Sequence, residues 1–140
     1  DVCAAFSQGN VGKAIQLASS EDFGELKSSV LQLMKRLDEI DVYEMTAAVK
    51  QISEYKLVVN DYFDLMTIWF RDVLYMKATN DVNGLIFKDE VYDIKKQAAK
   101  RSYQGIETII QALETAKVRL NANVNFDLVI ELLLLTIKEN

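Results

Sequence analysis

The chain has 140 residues, half of them hydrophobic, with a net charge of −5, no histidine, no proline and one cysteine. This length and composition suit one ordinary domain with a sizeable core and argue against intrinsic disorder. The acidic balance gives no support for broad binding to a phosphate backbone, and the lack of histidine excludes histidine-based nucleophilic or metal chemistry.

The first twenty residues predict the end of one helix and a second short helix. Residues 2–7 are apolar at helical spacing and stop at Gly9, and residues 11–18 form the next helix. The chain starts without Met inside this apolar stretch, so we expect that it was cut from a longer protein. Cys3 is expected to be a small buried residue in a reducing compartment. The glycines of residues 9–14 could present N–H groups to an anion, but a joint between two helices is favoured.

The middle of the chain predicts three further helices. Residues 23–40 carry apolar side chains at intervals of three and four. Asp41 followed by Glu44 has the pattern of a capping box and opens the next helix, whose apolar stripe is predicted to consist of Val42, Met45, Val49 and Ile52. Residues 60–78 are the most apolar segment, which predicts the central core helix with Trp69 buried.

Turn-forming residues at 79–84 predict the clearest loop, and a helix covering residues 87–98 follows it. Two strongly apolar helices then meet at an asparagine-rich joint, residues 121–125, where an asparagine is expected to cap the second helix. That last helix, residues 126–137, is apolar on nearly every face, which indicates burial in a core or against another subunit. It is too short to cross a bilayer and contains Glu131, so we expect a soluble cytoplasmic protein. The predicted fold is all-α.

One basic cluster lies on the helix after the loop and consists of Lys95, Lys96, Lys100 and Arg101. It could contact phosphate, but a solvated helix face is favoured because the cluster is small and acidic residues precede it by one turn. Those acidic residues are Asp89, Glu90 and Asp93. They lack the spacing of a calcium loop and suit a helix N-terminus, so no metal site is predicted.

Arg71 and Asp72 place two charges in the most apolar helix. Neighbouring residues on a helix do not face each other, so the two side chains need separate partners. A structural ion pair is the favoured interpretation of Arg71, because a buried charge is tolerated only when it is paired.

Three segments in this order carry a resemblance to a known family. They are Phe6-Ser7-Gln8-Gly9-Asn10-Val11-Gly12-Lys13-Ala14-Ile15, then Trp69-Phe70-Arg71-Asp72-Val73-Leu74, and last Asn121-Ala122-Asn123-Val124-Asn125-Phe126-Asp127-Leu128 with Glu131-Leu132-Leu133-Leu134. Together they resemble the C-terminal region of the delta-prime subunits of bacterial DNA polymerase III, which belong to the clamp-loader AAA+ family. The likeness spans essentially the whole chain.

The resemblance implies two parts. Residues 1–20 would be the end of the small helical lid of an ATPase module, with Lys13 at the position of a nucleotide-sensing arginine. Residues 21–140 would be a helical collar of about six helices that holds the subunit in a five-membered ring. That ring loads the sliding clamp onto primed DNA in the bacterial cytoplasm at the replisome.

The partners implied are the gamma/tau and delta subunits, with the clamp and DNA reached only through the whole complex. No catalytic residue and no cofactor is expected in this chain, which would belong to the polymerase holoenzyme only by association. The candidate subunit-interface residues lie on the last two helices: Ile109, Leu113, Leu128, Leu132 and Leu135. The alternatives are the collar of a gamma/tau subunit or a related replication ATPase, and a free-standing helical regulator that binds nucleic acid through its basic cluster.

Overall fold

A computed structural model describes Val2 and residues 21–140, and the latter form a bundle of α-helices. The helices are α1 (Glu21–Arg36), α2 (Val42–Ser53), α3 (Val59–Thr79), α4 (Val91–Lys100), α5 (Tyr103–Asn121) and α6 (Phe126–Glu139). Short 3-10 turns join them at Leu37–Glu39, Lys56–Val58, Val82–Gly84 and Lys88–Glu90. Residues 21–140 contain no strand, which confirms the all-α prediction. Apart from Val2, the residues of the two helices predicted before residue 20, among them Cys3 and Lys13, lie outside the described residues.

The helix ends follow side-chain caps that the sequence carries. Asp41 accepts a hydrogen bond of 2.8 Å from the N–H of Glu44, and Glu44 accepts one from the N–H of Asp41, which confirms the capping box. The Ser102 hydroxyl accepts a hydrogen bond from the N–H of Gly105 at the start of α5, and the Asn125 side chain accepts one from the N–H of Leu128 at the start of α6. Helix α3 ends at Asn80, whose φ of 54° lies in the left-handed region that asparagine tolerates.

Helix α3 is the centre of the bundle and packs against α1, α2, α4 and α5. Trp69 is fully buried, as predicted. Its Nε1 donates a hydrogen bond of 3.1 Å to Oε1 of Gln97, whose Nε2 donates one of 2.9 Å to the carbonyl of Met34. This chain of bonds allows a polar amide to lie in the core, because each buried polar atom has a partner.

Helix α6 lies between α2 and α5. At its C-terminal end the ammonium group of Lys138 donates to the carbonyls of Leu37 and Ile40, at 3.1 and 2.7 Å. At its N-terminal end the ring of Phe126 lies 5.2 Å from the ammonium group of Lys56, just beyond α2. Helices α2 and α6 are therefore antiparallel, and both ends of α6 are held against the bundle.

Two predicted elements differ in detail. The helix expected over residues 23–40 ends at Arg36, and Leu37 and Ile40 stay buried because a 3-10 turn continues the chain along the core. Val42, predicted to belong to the buried stripe of the next helix, is exposed. It stands in the first turn of α2, beyond the edge of the core that Met45 and Ile52 contact.

Candidate subunit interface

Three leucines of α6 face away from the bundle. Leu128, Leu132 and Leu135, here called the leucine ridge, expose 50%, 43% and 40% of their surface. Spacings of four and three residues place them on one face of the helix. The opposite face is buried and consists of Val129, Ile130, Leu133, Leu134 and Ile137. Because one face already supplies the contact with the bundle, the ridge is a second apolar face available to a partner.

A groove of about 290 Å³ runs beside the ridge between α5 and α6. Its α5 wall is built from Thr108, Gln111, Ala112, Thr115, Ala116 and Arg119. Most of these side chains are short, and the distance between two packed helices depends on the side chains at their contact. The groove can therefore accept an element that packs on the ridge and leans toward α5.

The apolar surface continues onto the end of the bundle. Leu57 is 100% exposed in the 3-10 turn after α2, and Val58 next to it is also exposed. Both line a depression that they share with Val124 and Phe126, one turn before the ridge begins at Leu128. Sequence reasoning missed Leu57, because a short 3-10 turn carries no apolar repeat.

Two of the five predicted interface residues do not face outward. Ile109 and Leu113 are 0% exposed and belong to the buried stripe of α5. They offer no surface to a second subunit, so their assignment to the interface was wrong. Their apolar repeat marks the face of α5 that packs against α3 and α6.

The predicted ion pair of Arg71 does not form among the described residues. Its side chain lies on the exposed face of α3, and no described carboxylate is within salt-bridge distance of it. The buried charge at this point is its neighbour Asp72, whose carboxylate accepts hydrogen bonds from the N–H groups of Ile86 at 3.0 Å and Phe87 at 2.8 Å. Asp72 thus fixes the segment before α4 against the central helix, and the expectation of separate partners was correct for it.

The buried arginine is Arg101, which the sequence analysis grouped with the basic cluster. One of its nitrogens is 3.0 and 2.9 Å from the two carboxylate oxygens of Asp38, and another donates 3.0 Å to the carbonyl of Ile137. Its Nε donates to Gln97, and its guanidinium lies 5.5 Å from the ring centre of Phe70. Arg101 therefore joins the ends of α1, α4 and α6.

Two of the other three members of the basic cluster form ion pairs within the domain. Lys96 pairs with Glu39 at 3.2 Å, and Lys100 pairs with Asp38 at 3.3 Å. Of the four cluster residues, only Lys95 has no ion pair with a described residue, and its side chain is exposed. These pairings tie α4 to the turn after α1, and they leave no cluster of free positive charge for a phosphate backbone.

The acidic residues before and in α4 also act within the fold. Glu90 pairs with Lys35 at 3.1 Å, while Asp93 lies in the first turn of α4, where a carboxylate favours the helix dipole. Within residues 21–140 and Val2, no group of three acidic, cysteine or histidine side chains is arranged to hold a metal ion. None of the helices in this described part is long and apolar enough to cross a membrane.

Comparison with known proteins gives two matches. A family model described as "DNA polymerase III, delta subunit, C terminal" matches residues 21–139. DNA polymerase III subunit delta' of Bacillus subtilis (strain 168) is 28% identical over 133 residues, which is 93% of this chain and 40% of that protein. The chain therefore spans about two fifths of the length of this relative. No solved structure matches.

Proposed function

The chain belongs to the family formed by the C-terminal domains of DNA polymerase III delta subunits, and we propose that it assembles a clamp-loader subunit into its ring. Its similarity to a delta-prime subunit over nearly the whole chain agrees with the resemblance in its sequence motifs. It also favours the delta-prime interpretation over a gamma/tau collar. In this proposal the partners are the gamma/tau and delta subunits, and the sliding clamp and primed DNA are reached only through the complete complex.

The observation that carries the proposal is the second apolar face of α6. The leucine ridge is exposed although both ends of the helix are tied to the bundle. An exposed and contiguous apolar surface on a firmly held helix is typical of a contact between proteins. The exposed Leu57 and Val124 at the end of the bundle would enlarge the same contact.

The proposed division of the chain has residues 1–20 closing the lid of an ATPase module and residues 21–140 forming the collar. The start of the family match at residue 21 supports this boundary. Lys13 would stand at a nucleotide-sensing position and could complete a site only with residues outside this chain. The domain would act without catalysis of its own, in the cytoplasm, as part of the polymerase holoenzyme.

Reconstitution of the parent protein tests the assembly role. Leu132→Asp puts a charge at the centre of the leucine ridge without touching the buried face of α6. We expect the variant to keep its helical circular dichroism and to be lost from the complex when mixed with gamma/tau and delta subunits in size-exclusion chromatography. Tyr92→Asp, at an exposed aromatic residue of α4, is the matched control and should enter the complex normally.

The proposal fails if the aspartate variants at Leu128, Leu132 and Leu135 are all folded and all enter the complex like the wild type. The ring contact would then lie on another surface of the bundle.

A further inference from the structure

A groove of about 830 Å³, here called the α1 groove, lies between α1 and the segment that joins α3 to α4. Its α1 wall runs from Lys27 to Lys35, and its other wall is formed by residues 83–90. It shares no residue with the groove beside the leucine ridge. The subunit contact proposed above therefore leaves the α1 groove unassigned.

Contacts within the domain hold the two walls in place. The carboxylate of Asp72 in α3 accepts a hydrogen bond of 3.0 Å from the N–H of Ile86. Glu90 on one wall pairs with Lys35 on the other at 3.1 Å. The α1 groove is therefore built into the fold of the collar and does not depend on an occupant to form it.

Each wall presents one apolar side chain that the collar covers only in part. Leu85 and Phe87 are buried, whereas Ile86 between them is partly buried and lines the groove. On the opposite wall Leu31 is also partly buried and lines the groove. Apolar side chains left open in a groove favour an apolar occupant.

Val2 lies in this groove. It lines the α1 groove, is partly buried and packs against the hydrophobic core of the bundle. In the division of the chain proposed above, Val2 belongs to the part that closes the ATPase module, whereas Leu31 and Ile86 belong to the collar. The groove thus holds an apolar residue from the other part of the parent protein.

We propose that the α1 groove is the docking site by which the collar holds the ATPase module of the parent protein, with Val2 as an apolar anchor against Leu31 and Ile86. This inference rests on the division into ATPase module and collar proposed above. A groove of this volume is far larger than one valine side chain, so it can receive more of the module than this residue.

A second point of attachment changes how the two parts move. Domains that share only a covalent connection move relative to each other unless an interface holds them. Contact at the α1 groove fixes the module at a point distant in sequence from the connection at residue 20. The collar therefore sets the orientation of the module as well as its place in the ring.

Photo-crosslinking in the parent protein tests the inference directly. A diazirine analogue of leucine at position 31 keeps the apolar character of the side chain, and on irradiation it should capture the peptide that contains Val2 in the same molecule. The same analogue at Leu57, which is fully exposed and precedes α3, should not capture that peptide. Failure of position 31 to capture it, or equal capture from both positions, would overturn the inference.

Hydroxyl-radical footprinting of the parent protein gives a second readout. Val2→Asp replaces the anchor by a charge, and oxidation of Leu31 and Ile86 should rise by roughly twofold because both lose apolar cover. Val118→Asp makes the same substitution at an exposed valine of α5 and should leave both residues unchanged. Circular dichroism should show the same helix content in both variants. Unchanged oxidation in Val2→Asp, or an equal rise in the control, would contradict the docking.

The docking and the assembly role can fail separately. If position 31 captures the Val2 peptide while Leu132→Asp enters the complex normally, the docking at the α1 groove stands and the assembly role fails. If Leu132→Asp blocks assembly while position 31 does not capture that peptide, the assembly role stands and the docking does not.

Discussion

At the scale of single residues, the polar groups that matter most lie where side chains join separate helices. Arg101, Gln97 and Trp69 form one connected set that reaches α1, α3 and α6. Ser29 and Tyr62 form another, in which the Ser29 Oγ is 3.2 Å from the Tyr62 hydroxyl and accepts 2.8 Å from the amide of Gln51. Burial raises the pKa of Tyr62 to about 12, so its hydroxyl stays protonated in this contact at neutral pH.

Arg101→Ala should be among the most damaging single changes. It leaves the partly buried Asp38 with Lys100 alone and removes the donor to the Ile137 carbonyl. Breaking a buried pair in this way costs about 3–5 kcal/mol, which urea denaturation of the chain can measure. Lys96→Ala removes an exposed ion pair and should lower the free energy of unfolding far less, because solvent screens such a pair. Equal decreases in the free energy of unfolding for the two variants would contradict the structural role assigned to Arg101.

The contribution of Asp72 to the free energy of unfolding should decrease as the pH rises. Burial raises the pKa of its carboxyl above 3.8, and the hydrogen bonds from Ile86 and Phe87 offset part of that increase. The folded carboxyl therefore binds a proton more readily than the unfolded one. This contribution to stability is fully present below the ordinary carboxyl pKa and is lost as the pH rises through the folded-state pKa.

Asp72→Asn keeps an acceptor for both N–H groups and removes the titration. The unfolding free energy of the wild type, relative to this variant, should decrease between pH of about 4 and about 7. Urea denaturation of both proteins at the two pH values measures this difference in unfolding free energy. If the difference increased with pH, the pKa of Asp72 would be lowered by folding and not raised. Asp72→Ala should cost roughly 1–3 kcal/mol for each N–H group left without a partner.

At the scale of elements, the sequence predicted which segments are helical and missed which way some of them face. Periodicity placed the central helix at residues 60–78, one residue short of α3 at each end. Ile109 and Leu113 were nevertheless expected at the same interface as Leu132. Their repeat marks a buried stripe, and a repeat alone cannot distinguish a domain's own core from a contact with a partner. Whether an apolar face is buried in the domain or left exposed depends on packing with helices that are distant in sequence.

The two classes of leucine on α5 and α6 should respond differently to truncation. Leu113→Ala opens a cavity in the core and should lower the unfolding free energy by roughly 2–5 kcal/mol. Leu132→Ala removes a half-exposed side chain and should change stability by less than about 1 kcal/mol. Thermal or urea unfolding of the two variants measures these changes. A large decrease in the unfolding free energy for Leu132→Ala would mean that the leucine ridge belongs to the core.

At the scale of the whole molecule, the fold class and the family were accessible from sequence, while the buried ion pair was not. The all-helical bundle follows from unbroken apolar spacing, and the motif order indicated the family that residues 21–139 match. Arg101 was predicted to lie on a solvated helix face. Its ion-pair partner Asp38 is 63 residues away in the chain, so local spacing could not indicate the pair. Such a pairing depends on tertiary contacts that no local pattern encodes.

The isolated chain should not bind ATP tightly. Its sequence has no phosphate-binding loop of the G-x-x-x-x-G-K-[ST] type, and Lys13 alone cannot hold a triphosphate. Isothermal titration calorimetry should show no saturable heat at micromolar nucleotide. Micromolar binding would place a complete nucleotide site within these 140 residues and contradict the division into lid and collar.

The central claim is that the leucine ridge contacts a neighbouring subunit, and hydroxyl-radical footprinting of the parent protein tests it without any mutation. Oxidation of Leu128, Leu132 and Leu135 should fall on assembly with gamma/tau and delta subunits, while Tyr92 and Val82 should react equally in the free and assembled protein. Unchanged oxidation of all three leucines in the assembled complex would show that the ridge stays open to solvent and that the contact lies elsewhere.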